Sequence, residues 1–136
     1  KNVVVTPHAG EFKRLFGDVP SNSISERIQL VEQNALKYSI TILLKGPTDI
    51  ISDGNVTYLC EKNTPSMTVG GTGDVLSGLV AGLLSHNRNS LESAASASFI
   101  CSIAGKQIQE KLGLHITAMD LIDEIPYVMK PFDKII

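Results

Sequence analysis

Two features of the sequence predict an α/β protein in which helices cover a mostly parallel sheet. Short β-branched or aliphatic runs, Val3 to Val5 and Ile40 to Leu44, stop at Thr6-Pro7 and Lys45-Gly46-Pro47, and stretches with helical spacing of apolar residues lie between and beyond them. Strands alternating with helices form layered sheets, and ligands of such sheets gather beyond the strand carboxyl ends. Both strand-ending motifs, TPHAGE and KGPTD, therefore face the edge where chemistry is expected.

Taken in order, Val3 to Val5 reads as a short buried strand ending at a proline-marked turn. Ser23 and Glu26 have the spacing of a capping box, and Ile28, Leu30, Val31, Ala35 and Leu36 continue a helical pattern to about Tyr38. After the Ile40 to Leu44 strand, DIIS and VTYLC flank the turn pair Gly54-Asn55 and read as a hairpin. Val75, Leu76, Leu79, Val80, Leu83 and Leu84 predict a helix starting near Gly73 or Asp74, and Gly78 and Gly82 within it predict close packing against a neighbour. Leu91 to Leu112, with Ala94, Ala95, Ala97, Ala104 and Gly105, reads as a packed core helix. Thr117 and Asp120 suggest the cap of a last helix, broken near Pro126.

The 136 residues suit one domain, residues 1–136, with 43% hydrophobic and 19% charged residues. A net charge of −2 leaves no general basic field for nucleic acid, and the apolar runs are too interrupted to span a bilayer. Cys60 and Cys101 lack CxxC spacing, which favours reduced thiols and a cytoplasmic protein. His86 and His115 have no metal-ligand spacing with each other or with the cysteines, so zinc is not expected. Lys1 in place of methionine, leading straight into a strand-like run, suggests a fragment or a processed chain. A sheet shortened in that way would expose an edge and favour a homo-oligomer.

The stretch VGGTGDVLSGLVAGLL, residues 69 to 84, sets a glycine cluster against a helix start. Four unpaired amide donors and the positive end of the helix dipole favour an anion there, and glycines let a phosphate approach the backbone. Gly70, Gly71, Thr72 and Gly73 thus read either as a phosphate cradle or as a flexible turn. On the local pattern Asp74 has two readings: a helix cap, or a base taking a proton from a hydroxyl beside the cradle. GxxxxGK[ST] is absent, and Leu76 occupies the position where GxGxxG would need glycine, so neither common nucleotide fingerprint applies.

TPHAGE (6 to 11), LLKGPTDII (43 to 51) and GGTGDVLSG (70 to 78), in that order, resemble the ribokinase-like superfamily and, within it, the NAD(P)H-hydrate dehydratases. His8 stands where small-molecule kinases of the superfamily carry asparagine. The resemblance implies a three-layer α/β/α fold and nucleotide-dependent dehydration of hydrated NADH or NADPH, with ADP or ATP as phosphoryl donor and Mg2+ as companion ion. It implies that His8 and Asp74 contact the hydrated ring, that Asp74 is catalytic, and that Lys45, Gly46, Pro47, Thr48 and Asp49 line the adenine nucleotide whose phosphates meet Gly73. Glu11 either serves magnesium near the phosphates, directly or through water, or favours the N-terminus of a short helix. A ribokinase-like kinase for a vitamin precursor or sugar would use the same cradle and base, and an inactive nucleotide-binding subunit would keep only the cradle. Ser66 in TPSMTVGGTGD replaces a glycine common in the family, which bears on the loop before the cradle.

Overall fold

The computed structural model describes residues 2–62, 64–87 and 89–134. In chain order these form β1 (Val4–Val5), α1 (Ala9–Phe16), α2 (Ile24–Tyr38), β2 (Thr41–Leu44), β3 (Thr48–Ser52), β4 (Thr57–Glu61), α3 (Thr72–Asn87), α4 (Ser90–Leu112) and α5 (Ala118–Met129). Short 3₁₀ turns occupy Pro65–Thr68 and Lys130–Phe132.

The strands lie side by side in the order β1-β2-β3-β4. Only β1 and β2 are parallel; β2 with β3 and β3 with β4 are antiparallel, so the sheet is mixed rather than mostly parallel. Connection length explains this correction. The chain from β1 to β2 runs through two helices, long enough for a crossover, whereas Lys45-Gly46-Pro47 is far too short for one and reverses the chain. The predicted hairpin is present, with Ser52 opposite Thr57 across the Gly54-Asn55 turn. Gly54 has φ +94°, and a Cβ there would stand 2.8 Å from the backbone nitrogen and Cβ of Leu36 in α2. Gly54→Ala is expected to cost about 2–4 kcal/mol in chemical denaturation, combining left-handed strain with overpacking.

Side chains of the sheet alternate between two cores, as a period of two requires. Ile42, Leu44 and Ile50 join Phe12 of α1 and Val31 and Ala35 of α2 on one face. Leu43 and Ile51 join α4 on the other, with Leu76 and Val80 of α3 and Leu121 and Val128 of α5 completing that core. The predicted helix at 91–112 is thus α4, and of its small residues Ala94, Ala97, Ala104 and Gly105 are buried in the core, while Ala95 is half-buried. At Gly105 a Cβ would meet Sδ of Met67 at 2.5 Å, so this glycine admits the loop before α3.

Several local expectations are corrected. β1 is half-buried rather than buried, because it has one neighbour and forms an edge of the described sheet. Ser23 occupies the N-cap of α2 but makes no capping bond; Glu26 accepts from Ser21 Oγ instead. The box at Thr117 and Asp120 does form, yet α5 runs through Pro126 instead of breaking there. Proline removes one helical hydrogen bond, and Leu121 and Val128, buried on either side, hold the flanking turns. Gly78 and Gly82 also depart from expectation, since a Cβ at either would meet nothing within 4 Å. With Ser77, Ala81 and Ser85 they form an exposed, small-residue stripe along α3. No helix among the described residues is long and apolar enough to cross a membrane.

Candidate functional site

The carboxyl ends of β1 and β2, the end of β4 and the start of α3 converge on one cleft of about 740 Å3. His8, Lys45, Gly46, Pro47, Thr72 and Gly73 line it, so the structure brings together six of the residues singled out from sequence. The Lys45 N–H donates to Pro7 O at 2.8 Å, fixing the two strand-end motifs side by side.

His8 is the N-cap of α1. Its Nδ1 accepts from the N–H groups of Gly10 (3.0 Å) and Glu11 (3.2 Å), and the His8 N–H donates to Glu11 Oε2 at 2.7 Å. Here an imidazole fills the role usually held by serine or aspartate. Because Nδ1 accepts, a neutral ring carries its proton on Nε2, which is left as a donor 3.5 Å from Glu11 Oε1. Lys45 Nζ lies 3.4 Å from Glu11 Oε2. The His8 backbone N–H, aided by Lys45, holds the Glu11 carboxyl below the ordinary glutamate value. A depressed folded-state value means the stabilisation is present above the ordinary glutamate range and is lost as pH falls through the lowered value. Denaturation midpoints of the native protein and Glu11→Gln should therefore differ near neutrality and converge in acid.

Of the predicted cradle amides at 70 to 73, only that of Thr72 has an acceptor among the described residues. The N–H groups of Thr72, Asp74 and Val75 donate to the carbonyls of Val69 (3.4 Å), Gly71 (3.1 Å) and Gly71 (3.1 Å). Gly73 N–H alone among the first four helical amides has no acceptor among the described residues, and Gly73 lines the cleft. A Cβ at Gly73 would lie 3.2 Å from Lys45 Nζ, so the open amide and the ammonium face the same small volume. Thr72 Oγ1 donates to the carbonyls of Met67 and Val69, pinning the preceding loop. Gly70 and Gly71 shape the turn from outside the cleft lining; Gly71 has φ +91°. Ser66 is buried and donates to Gln109 Oε1 at 2.7 Å, tying that loop to α4, so the departure at 66 is accommodated by a hydrogen bond.

Asp74 is the third residue of α3 and is exposed, with no hydrogen-bond or ion-pair partner for its carboxylate among the described residues. It caps none of the amides. Ser77, one turn further on the same face, bonds Thr6 Oγ1 at 2.9 Å, so Asp74 lies on the side of α3 turned toward the strand end that carries His8. Asp74 and Glu11 border the cleft without lining it.

Thr48 and Asp49 belong to β3 and are not among the lining residues. Asp49 is completely buried behind the wall, accepting from Gly46 N–H (3.1 Å), Ser98 Oγ (2.8 Å) and Lys62 Nζ (2.7 Å). Lys62, Thr64, Met67 and Cys101 line the cleft and were not singled out from sequence. Lys62 was within reach, because the hairpin register sets it opposite Pro47, whose carbonyl accepts its N–H at 2.8 Å. Burial, opposed by the nearby Lys62 ammonium, pushes the Cys101 thiol up to about 11, which makes it an inert wall group. No cluster of three or more histidine, cysteine or acidic side chains able to hold a metal occurs among the described residues.

A family model described as "Carb_kinase: NAD(P)H-hydrate dehydratase" matches residues 1–127. The chain is 73% identical over 135 residues to the ADP-dependent (S)-NAD(P)H-hydrate dehydratase of Nitrosopumilus maritimus, covering 99% of this chain and 47% of that protein. It is 62% identical, over the same shares, to the enzyme of that name from Cenarchaeum symbiosum. Among solved structures, the ADP/ATP-dependent NAD(P)H-hydrate dehydratase from Bacillus subtilis co-crystallized with ATP/Mg2+ superposes with a TM-score of 0.86 at 26% identity, over 96% of this chain and 48% of that one. The chain spans about half the length of the curated relatives it matches. The motifs at 6 to 11, 43 to 51 and 70 to 78 converge on one sheet edge, and the match runs through all three: the chain belongs to the NAD(P)H-hydrate dehydratase family, with a ribokinase-like fold.

Proposed function

We propose that the protein carrying residues 1–136 removes water from hydrated NADH and NADPH, with ADP as the phosphoryl donor. The observation that carries the reading is the convergence on one cleft of the Gly73 amide, which has no acceptor among the described residues, the Lys45 ammonium and His8, whose Nδ1 is taken up in the helix cap and whose Nε2 is left as a donor. The 73% identity to an enzyme named ADP-dependent supports ADP over ATP.

A ring hydroxyl is a poor leaving group. Transfer of the terminal phosphoryl group of ADP to that oxygen, with Asp74 taking the hydroxyl proton, yields AMP and a phosphate ester. The ring nitrogen's lone pair then expels phosphate as the carbon–oxygen bond breaks, and loss of a proton from the neighbouring carbon restores the dihydropyridine ring. Water and ADP thus leave as AMP and phosphate. In this scheme Gly73 N–H and Lys45 meet charge on the transferring group, and His8 Nε2–H orients the ring. Glu11, already engaged by Lys45 and the His8 amide, suits a magnesium brought by the nucleotide and reached through water, where the ion would neutralise phosphate charge.

Incubating the complete protein with hydrated NADPH, magnesium and ADP should restore absorbance of the reduced nicotinamide, faster than with ATP at equal concentration. No restoration with either nucleotide, together with phosphorylation of a pyrimidine or sugar alcohol, would place the protein among the kinases instead.

A further inference from the structure

The cleft holds two lysines, and the phosphate end accounts for one. Lys45 stands beside Gly73 and Glu11. Lys62 lies on the other side of the Gly46-Pro47 turn, where the lining changes to Thr64, Pro65, Met67 and Cys101. Its side chain is 16% exposed, and its Nζ donates to Asp49 Oδ2 at 2.7 Å, with no other acceptor among the described residues. An ammonium has three donors, so two remain unspent in a largely desolvated position on a cavity wall.

Asp49 cannot follow a wandering lysine. It is fully buried, and its two oxygens are also held by Gly46 N–H from the β2–β3 turn and by Ser98 Oγ from α4. The backbone of Lys62 is fixed in turn by its N–H bond to Pro47 O. Root and tip of the side chain are both tied, so its rotamer entropy is lost on folding and need not be lost again on binding.

We propose that Lys62 is a further nucleotide-binding residue that donates to acceptor atoms of the base and ribose half, and that Asp49 is the positioning residue that holds it there. This rests on the nucleotide reading of the cleft. With phosphates at Gly73 and Lys45, the base and sugar extend toward the more apolar end, where ring nitrogens and ribose oxygens are the acceptors available to Lys62. Asp49, expected from the resemblance to line the nucleotide, acts through Lys62 and the Gly46 amide without touching it.

Removing Lys62 alone would strand a buried carboxylate, so the informative variant neutralises both partners, Lys62→Met with Asp49→Asn. On the complete protein, calorimetric titration should show AMP binding weakened about tenfold, the loss of one charge-assisted hydrogen bond. Competition by inorganic pyrophosphate should stay within about twofold of native, since the phosphate end is untouched. Lys62→Gln, which can still donate to Asp49, gives the same readout if the double variant does not fold. Native AMP affinity in a folded variant would overturn the proposal, as would an equal loss for pyrophosphate, which would put Lys62 at the phosphates. Failure of the native protein to bind AMP or ADP at all would overturn the nucleotide reading itself, a result separate from either.

Discussion

Asp74→Asn is expected to lower turnover by about 10³-fold while leaving ADP affinity within about twofold of native. The substitution removes a proton acceptor and keeps the size and shape of the side chain. It is also clean structurally: Asp74 is exposed, caps no amide and pairs with nothing among the described residues. The only folding term at risk is the attraction of a first-turn carboxylate to the helix dipole, about 0.3–1 kcal/mol. Steady-state kinetics and a thermal melt on the same preparation separate the two effects. Turnover that survived the change would show that Asp74 is not the base.

Gly73→Val is expected to weaken ADP binding about 100-fold, or about 2.7 kcal/mol. Gly73 contributes the single unpaired amide of the α3 first turn, and even a Cβ would lie 3.2 Å from Lys45 Nζ. A branched side chain would occupy the volume into which a phosphate must come and would push the ammonium away. Nothing else lies within 4 Å of that Cβ, and a helical glycine is a poor helix former, so the fold should tolerate the change. Native ADP affinity in the folded variant would mean that phosphate is held elsewhere.

Much of this architecture is legible from local pattern. The α4 span, the hairpin at Gly54-Asn55 and the strand ends beside Pro7 and Lys45 follow from periodicity and turn chemistry, and the three motifs do meet at one edge. What pattern alone missed was tertiary. The strand pairing turned on the length of one three-residue connection. Pro126 stays inside α5 because the turns around it are buried against the core. The predicted cradle at 70 to 73 loses one amide, that of Thr72, because the carbonyl of Val69 in the preceding loop folds back onto it. Gly78 and Gly82 predict a packed helix face, whereas the described residues leave that face open. Lys62 and Asp49 show the same limit: a lysine at a strand end and an aspartate inside a strand carry no signal singly, and become a pair only through the register of β3 with β4.

If the ring oxygen leaves as phosphate, an isotope reports on that bond directly. Hydrated NADPH carrying a heavy-oxygen label in its ring hydroxyl is turned over with unlabelled ADP and magnesium, and the products are read by mass spectrometry. One labelled inorganic phosphate is expected for each NADPH restored, with AMP formed in equal amount. Label released as water, with unlabelled phosphate, would contradict it.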